Sequence, residues 1–323
     1  MSNENGSPIS FDGQVAIITG AGGGMGRAYA LELARRGAAV VVNDYGGGVL
    51  GEQVGSRGPA ASVVAEIQAA GGRAAANDEA VGSADSARAI AAAALDAFGR
   101  VDILVNNAGT ALPGPFTRHD DDAIERHYRT NLIGGHHLMR AVWPTMVAQG
   151  HGRVLNISSN GVLGVGGNAA YAAAKAGMIG LTLDSAIEGR PLGILVNAVM
   201  PVSYSRMIEQ MPDPATVSWF RDNCPPERVA AAMAWFLSRE SQVSGRILLT
   251  GGGRLSSLVF AETDELFEPR LDAEMVASHA DDLFGEESLT VTHNQAEAAA
   301  RYFEHLPWTA GVRADFGPGV PRK

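Results

Sequence analysis

The chain has 323 residues, 46% hydrophobic and 19% charged, enough to bury a large core and too apolar for a disordered chain. Its 40 glycines follow no three-residue period, which excludes collagen and points to tight turns. A formal charge of −10, from 25 basic and 35 acidic residues, argues against nucleic acid or an anionic membrane as a partner.

From residue 14 to about 253, short apolar runs alternate with longer helical patterns, as in βαβ units stacked on a parallel sheet. In chain order the runs 14–19, 38–43, 73–77, 101–106, 153–158, 194–199 and 246–250 read as strands, most of them β-branched and continuously hydrophobic as strands covered on both faces are. Helices are expected at 25–36, 60–70, 85–98, 121–147 with a break near Thr130, 169–188 and 227–238. Seven strands with right-handed crossovers make a three-layer, doubly wound α/β domain of Rossmann type over residues 11–253. Two long loops interrupt the rhythm, the Gly-rich 45–59 and the Pro-interrupted 200–226, and loops of that length are usually functional. Residues 254–323, with 13 acids and 6 bases, read as an acidic, mostly helical C-terminal extension or cap.

The single cysteine, Cys224, rules out a disulfide within the chain and a thiolate metal cluster; beside Pro225 and Pro226 it reads as inert, in a reducing compartment. Residues 1–10 are polar, with no basic stretch leading into an apolar run, and no apolar stretch nears the ~18 residues of a membrane span. The last residues match neither a peroxisomal tripeptide nor a prenylation box. The expectation is a soluble, cytoplasmic protein with no metal.

Chemistry enters at Thr19-Gly20-Ala21-Gly22-Gly23-Gly24-Met25-Gly26, between a strand and a helix. Glycines 20, 24 and 26 let the backbone approach a pyrophosphate, whose charge is met by free N–H groups and the positive end of the helix that starts near Met25. Asp44 lies 18 residues beyond Gly26, at the end of the second strand, where a dinucleotide fold places the acid that accepts from the adenosine ribose. A carboxylate there repels a 2′-phosphate, so NAD is favoured over NADP, with Arg57 the residue able to reverse this. Asn106-Asn107-Ala108-Gly109 closes the fourth strand at the carboxyl edge, where open α/β sheets bind ligands; alone it reads equally well as a turn.

The decisive group is Ser158, Tyr171 and Lys175. Tyr171 and Lys175 are i and i+4 on one helix face, and Ser158 ends the fifth strand one short loop earlier. An ammonium beside a phenol favours phenolate and brings tyrosine within reach of proton transfer, while the serine hydroxyl holds a substrate oxygen. Only Lys175 and Lys323 are lysines among the 25 basic residues, so an internal lysine in this arginine-rich chain has a specific use. The bland alternative is a surface lysine beside a half-buried tyrosine.

These residues resemble the short-chain dehydrogenase/reductase family over residues 11 to about 253. The family's T-G-x-x-x-G-x-G turn matches at Thr19 to Gly26, its N-N-A-G motif at Asn106 to Gly109, and its S-x12-Y-x3-K triad at Ser158, Tyr171 and Lys175. The resemblance assigns Asn131 to the family's helix-bending asparagine, which holds a water that relays protons to the lysine. It implies interconversion of alcohols and carbonyls with NAD(P), the cofactor contacted by Gly20, Gly24, Met25, Gly26, Asp44, Glu79, Asn107, Ala108, Gly109, Tyr171, Lys175 and Pro201. A narrower similarity, in residues 41–47, 186–190 and 205–207, is to the dehydrogenase domains of type 2 multifunctional enzymes, a branch that oxidises (3R)-hydroxyacyl-CoA with NAD. Ser158, Tyr171, Met207, Met211 and Trp219, with Phe220, are the expected substrate contacts. A dehydrogenase of a bulky steroid or terpenoid alcohol is the alternative, and a non-catalytic NAD-binding regulator a third. Self-association to a dimer or tetramer is expected through the helices around Asn131 and Tyr171.

Overall fold

The computed structural model describes residues 8–48, 58–209, 211–263, 272–284, 289–294 and 297. Residues 49–57, with Arg57, and most of the C-terminal extension lie outside this set. The chain divides into two compact units, residues 1–257 and 258–323.

The first unit runs β1 (Val15–Thr19), α1 (Gly24–Arg35), β2 (Ala39–Asn43), α2 (Gly58–Ala69), β3 (Arg73–Asn77), α3 (Ala84–Phe98), β4 (Ile103–Asn106) and α4 (Asp121–Tyr128). A π-turn (Arg129–Ile133) leads into α5 (Gly134–Gln149), then β5 (Gly152–Ile157), α6 (Ala169–Gly189), β6 (Ile194–Pro201), α7 (Arg206–Glu209), α8 (Pro214–Asn223), α9 (Pro226–Leu237), β7 (Ile247–Gly251) and β8 (Arg254–Leu258). The sheet order is β3-β2-β1-β4-β5-β6-β7-β8, with every pair from β3 through β7 parallel. All seven predicted strands are present. The order reverses between β1 and β4, so the carboxyl ends of these strands frame the crevice where a doubly wound sheet takes its ligand.

The eighth strand falls where the sequence placed the start of the extension. Gly252 and Gly253 both have positive φ (57° and 85°), a two-glycine turn that folds the chain straight back after β7. In the second unit β9 (Phe260–Thr263) pairs antiparallel with β10 (Leu289–Thr292), and α10 (Ala273–Ser278) and α11 (Ala280–Leu283) are short. The described part of the extension is therefore not mostly helical, because its Leu-Thr-Val-Thr run is β-branched enough to form a strand.

Burial follows the two-faced pattern of the strands. Ile18, Val40, Tyr29, Leu33, Val63 and Met233 fill one side of the sheet under α1, α2 and α9; Ile17, Val41, Ile90, Leu138, Val142 and Met146 fill the other under α3 and α5. Each fully buried Leu or Ile contributes about 1.5–3 kcal/mol. A buried polar chain then sets the height of the helices on the sheet. Asn106 on β4 donates to Asn156 Oδ1 on β5 (2.8 Å), Asn156 Nδ2 donates to Thr182 on α6 (2.9 Å), and Thr182 donates to the Met178 carbonyl (2.7 Å). Asn106 also reaches the Gly135 carbonyl of α5 (3.3 Å), so the helices that follow Asn131 and carry Tyr171 are both keyed to strand ends. Among the described residues no helix is long and apolar enough to cross a membrane.

Candidate active site

The Gly turn at the end of β1 is closed by backbone packing. Gly20 has φ 63°, and a Cβ on Gly26 would stand 2.2 Å from the Gly20 carbonyl oxygen, so neither position accepts a side chain without moving the turn. Asn107 clips the turn to β4: its Nδ2 donates to the Thr19 and Gly20 carbonyls (2.8 and 3.2 Å), and the Asn107 and Ala108 N–H groups both donate to Thr19 Oγ1 (3.0 Å). The N-terminus of α1 has no side-chain cap and no acid in its first turn. By contrast Ser83 caps α3 and Asp120 caps α4. An α1 terminus left open, lined by glycines, is built to meet an anion brought from outside.

Asp44, at the end of β2, is buried against this turn. Its Oδ2 accepts from the Gly22 N–H and its Oδ1 from the Gly46 N–H, both at 2.7 Å, which leaves further lone pairs for hydroxyl donors. Asn43 donates to the Glu79 carbonyl (2.9 Å) and fixes the backbone of Glu79, whose residue is exposed.

The helix break expected near Thr130 is the π-turn. Asn131 Nδ2 donates to the His127 carbonyl (3.0 Å), the acceptor that a regular helix reserves for the Asn131 backbone N–H. With that carbonyl shared, the ladder slips by one residue, and the Gly134 N–H bonds the Arg129 carbonyl instead. The slip turns Asn131, buried at 3% exposure, toward β4 and α6.

Lys175 is buried, its Nζ donating to the Ile157 carbonyl (2.8 Å) and lying 5.8 Å from the centroid of the Tyr171 ring. Burial pushes its pKa down to about 8. Burial also pushes the Tyr171 phenol above its ordinary value, and a hydrogen bond with Ser159 acts in the opposite sense. Two details differ from the sequence expectation. Desolvation, rather than the ammonium, dominates the phenol in this state. The Ser158 hydroxyl donates to the Lys175 carbonyl (2.8 Å), so the hydroxyl bonded to Tyr171 is that of Ser159.

A cavity of about 430 Å³ brings most of the candidates together. Gly20, Gly24, Met25, Gly26, Asn107, Ala108, Gly109, Asn131, Ser158, Tyr171, Lys175, Pro201, Met207 and Met211 line it. A second cavity, about 520 Å³, takes Asp44 and Glu79; Gly20, Ala108, Gly109 and Arg206 line both. Trp219 is a correction: it is 55% exposed and lines neither, while Phe220, in edge contact with it at 5.3 Å, faces the first cavity. Successive residues of α8 point about 100° apart, so one of the pair faces inward and the other faces water. Sequence reasoning missed Ser159, Thr110 and His127. For His127 the available signal was its position four residues before Asn131, on the same helix face. Cys224 is buried with its thiol pushed up by burial, which fits the inert role.

A family model for short chain dehydrogenases matches residues 14–210. The chain is 41% identical over 258 residues to the peroxisomal multifunctional enzyme type 2 of Mus musculus, a match covering 80% of this chain and 34% of that enzyme. It therefore spans about a third of that relative's length. It is 38% identical over 252 residues to a short-chain type dehydrogenase/reductase of Mycobacterium tuberculosis, covering 78% of this chain and 86% of that one. Among solved structures, a short chain dehydrogenase from Mycobacterium avium superposes with a TM-score of 0.74 at 36% identity, over 85% of this chain and 95% of that chain.

Proposed function

From the premise that this chain belongs to the short chain dehydrogenase family and is one of its oxidoreductases, we propose that it interconverts a secondary alcohol and a ketone with NAD, on a (3R)-hydroxyacyl-CoA thioester. The observation that carries the reading is the convergence of Asn131, Ser158, Tyr171 and Lys175 on one cavity that also reaches the uncapped end of α1.

A dinucleotide fits the residues present. Gly20, Gly24 and Gly26 with the α1 N–H groups would hold its pyrophosphate, and Asp44 would accept from the adenosine ribose and repel a 2′-phosphate. When bound, NAD supplies the hydride acceptor at its nicotinamide. The protein handles the proton. Tyr171 Oη takes it from the alcohol on oxidation and returns it to the carbonyl oxygen on reduction. Lys175, held by Ile157, offsets the phenolate charge, and Ser158 turns its hydroxyl from the Lys175 carbonyl toward the substrate oxygen. Met207, Met211 and Phe220 exclude water from the reacting carbon. The acyl-CoA part of the reading is supported by similarity to the multifunctional relative.

The test is NAD reduction, followed by absorbance, with (3R)- and (3S)-hydroxyacyl-CoA and a steroid alcohol, each repeated with NADP. The (3R) thioester with NAD should be the preferred pair, and Tyr171→Phe should lower its kcat on the order of a thousandfold. Undiminished turnover by Tyr171→Phe refutes the mechanism, and turnover of the steroid alone refutes the substrate. Ile133, Val147, Ile187 and Leu192, exposed around α5 and α6, are where we place self-association, which light scattering checks against a Leu192→Glu variant. The single buried thiol suits a reducing compartment, and we place the protein in the cytoplasm; cell fractionation decides between that and the peroxisome named for the mouse relative.

A further inference from the structure

The crevice holds a cation that the mechanism does not use. Asp44 and Tyr171 line different cavities, and the residues that line both are Gly20, Ala108, Gly109 and Arg206, of which Arg206 alone is charged. Gly20 follows β1 and Arg206 opens α7 after β6, with β4 and β5 between them in the sheet, so the two residues flank the junction from either side. Among the described residues the cavity with Tyr171 is lined by two cations and no acid, and one of the two, Lys175, is already committed to the Ile157 carbonyl.

The chain around Arg206 fixes its backbone and leaves its guanidinium unclaimed. The Val202 N–H donates to the Thr250 carbonyl and the Tyr204 N–H to the Cys224 carbonyl (both 2.8 Å), so the segment that leads into Arg206 is pinned to β7 and to the end of α8. Glu209 stands three residues on, the spacing at which an arginine and a glutamate on one helix face ordinarily pair. Its carboxylate instead accepts from Tyr204 Oη (2.7 Å), and Arg221 Nη2 donates to the same phenol oxygen (3.1 Å) with its guanidinium over the Tyr204 ring. With the local acid taken, no hydrogen bond or ion pair holds the exposed Arg206 guanidinium among the described residues.

A ligand whose ribose reaches Asp44 in one cavity and whose reactive ring reaches Tyr171 in the other must cross the junction, and in a dinucleotide the group between the two nucleosides is the pyrophosphate. We propose that Arg206 is the clamp on that pyrophosphate from the β6 side: the glycine turn and the α1 N–H groups take it from one flank of the crevice and the guanidinium from the other. Backbone N–H groups at a helix end offer an anion partial charges, whereas a guanidinium supplies a full charge and a planar fork that matches two phosphate oxygens. The phosphates of a CoA thioester match this place less well, because the pantetheine arm holds them far from a carbonyl at Tyr171, while Arg206 lies where the two cavities meet.

The inference rests on the NAD reading above. Calorimetry measures NAD and ADP-ribose, and ligand-observed NMR the weaker adenosine, on wild type, Arg206→Met and Arg206→Lys. Methionine keeps the apolar stem and loses the charge, so the affinities for NAD and ADP-ribose should fall together, by about tenfold to a hundredfold as for one charge-assisted hydrogen bond, while adenosine binds as in wild type. Lysine, a charge without the fork, should recover part of the loss, and the gap between wild type and the methionine protein should shrink as salt is raised. Affinities for NAD and ADP-ribose within twofold of wild type in Arg206→Met overturn the clamp, and so does an equal loss with adenosine, which carries no phosphate. A KM raised for hydroxyacyl-CoA, with NAD affinity intact and KM for the N-acetylcysteamine thioester unchanged, puts the guanidinium on the substrate's phosphates and overturns it too. A wild-type protein that binds neither NAD nor ADP-ribose refutes the cofactor reading and the clamp with it; wild type and Arg206→Met binding both equally tightly overturns the clamp alone.

Discussion

The buried ammonium of Lys175 should be readable as a pH-dependent cost of folding. The residue is 4% exposed, and burial lowers its pKa from 10.5 to about 8. At 1.36 kcal/mol per pKa unit, holding the charge in that environment costs about 3 kcal/mol relative to the unfolded chain. Because the folded-state pKa lies below the unfolded one, the unfolded chain binds more protons between about pH 8 and 10.5, and this group's cost is relieved as pH rises through that window. The perturbation is Lys175→Met, which keeps length and removes charge, made in a Tyr171→Phe background so that the neighbouring phenol does not titrate. Below pH 8 the methionine protein should be the more stable by about 2 kcal/mol, once ~1 kcal/mol is subtracted for the lost hydrogen bond to the Ile157 carbonyl. Above pH 8 the gap should close by about 1.4 kcal/mol per pH unit. Urea unfolding of both proteins at pH 7, 8, 9 and 10 measures the gap, with Tyr29 and every other titrating group cancelling in the difference. A gap that stays constant across that range would refute the argument, since it would mean that the ammonium is as well solvated as in the unfolded chain. The magnitude bears on function: a charge so poorly compensated at rest gains most when a phenolate forms beside it.

Other consequences follow from particular contacts. Gly26→Ala would drive a Cβ to 2.2 Å from a backbone oxygen and displace the turn, so NAD affinity by calorimetry should fall on the order of tenfold to a hundredfold in a protein that still folds; unchanged affinity would remove the turn from the cofactor site. Oxidation requires unprotonated Tyr171, whose pKa is raised by burial, so kcat/KM for the alcohol should climb with pH between 7 and 10 while the reduction rate does not; a flat oxidation profile excludes Tyr171 as the base. At the amino end of β4, away from the site, the fully buried Asp102 accepts from the Val15 N–H (2.9 Å) and from Arg100 Nε and Nη2 (both 2.7 Å). Asp102→Asn should lower stability by about 2 kcal/mol in a denaturant melt and leave kcat alone, and a protein as stable as wild type would show that the ion pair contributes nothing net.

Most of the framework was legible because it depends on short-range pattern. Strands β1 to β7 are apolar runs bounded by turn residues, and parallel order follows once helices separate them. The eighth strand was missed because two glycines were read as the end of the sheet when their left-handed backbone turns it back on itself. Trp219 was placed on the substrate together with Phe220 for the same kind of reason: composition marks 219 and 220 as an apolar pair, and only the rotation of α8 says which of them faces the cavity.

What lies outside any periodicity is the polar detail of the site. Asn131 was placed by its motif, yet its orientation depends on a π-turn that exists because its own side chain takes the His127 carbonyl, a feedback between side chain and backbone that no spacing rule contains. Thr110 is the residue immediately after Asn-Asn-Ala-Gly and looks like ordinary loop; it matters only because the turn at Gly109 brings it back against α4. His127 on a helix read alone is a core histidine, and that description is correct as far as packing goes. Its ring leans on Tyr171 and its carbonyl takes the Asn131 amide, while the Thr110 N–H and carbonyl hold the two ends of that amide, and contacts of this kind become visible only when donors and acceptors are followed atom by atom.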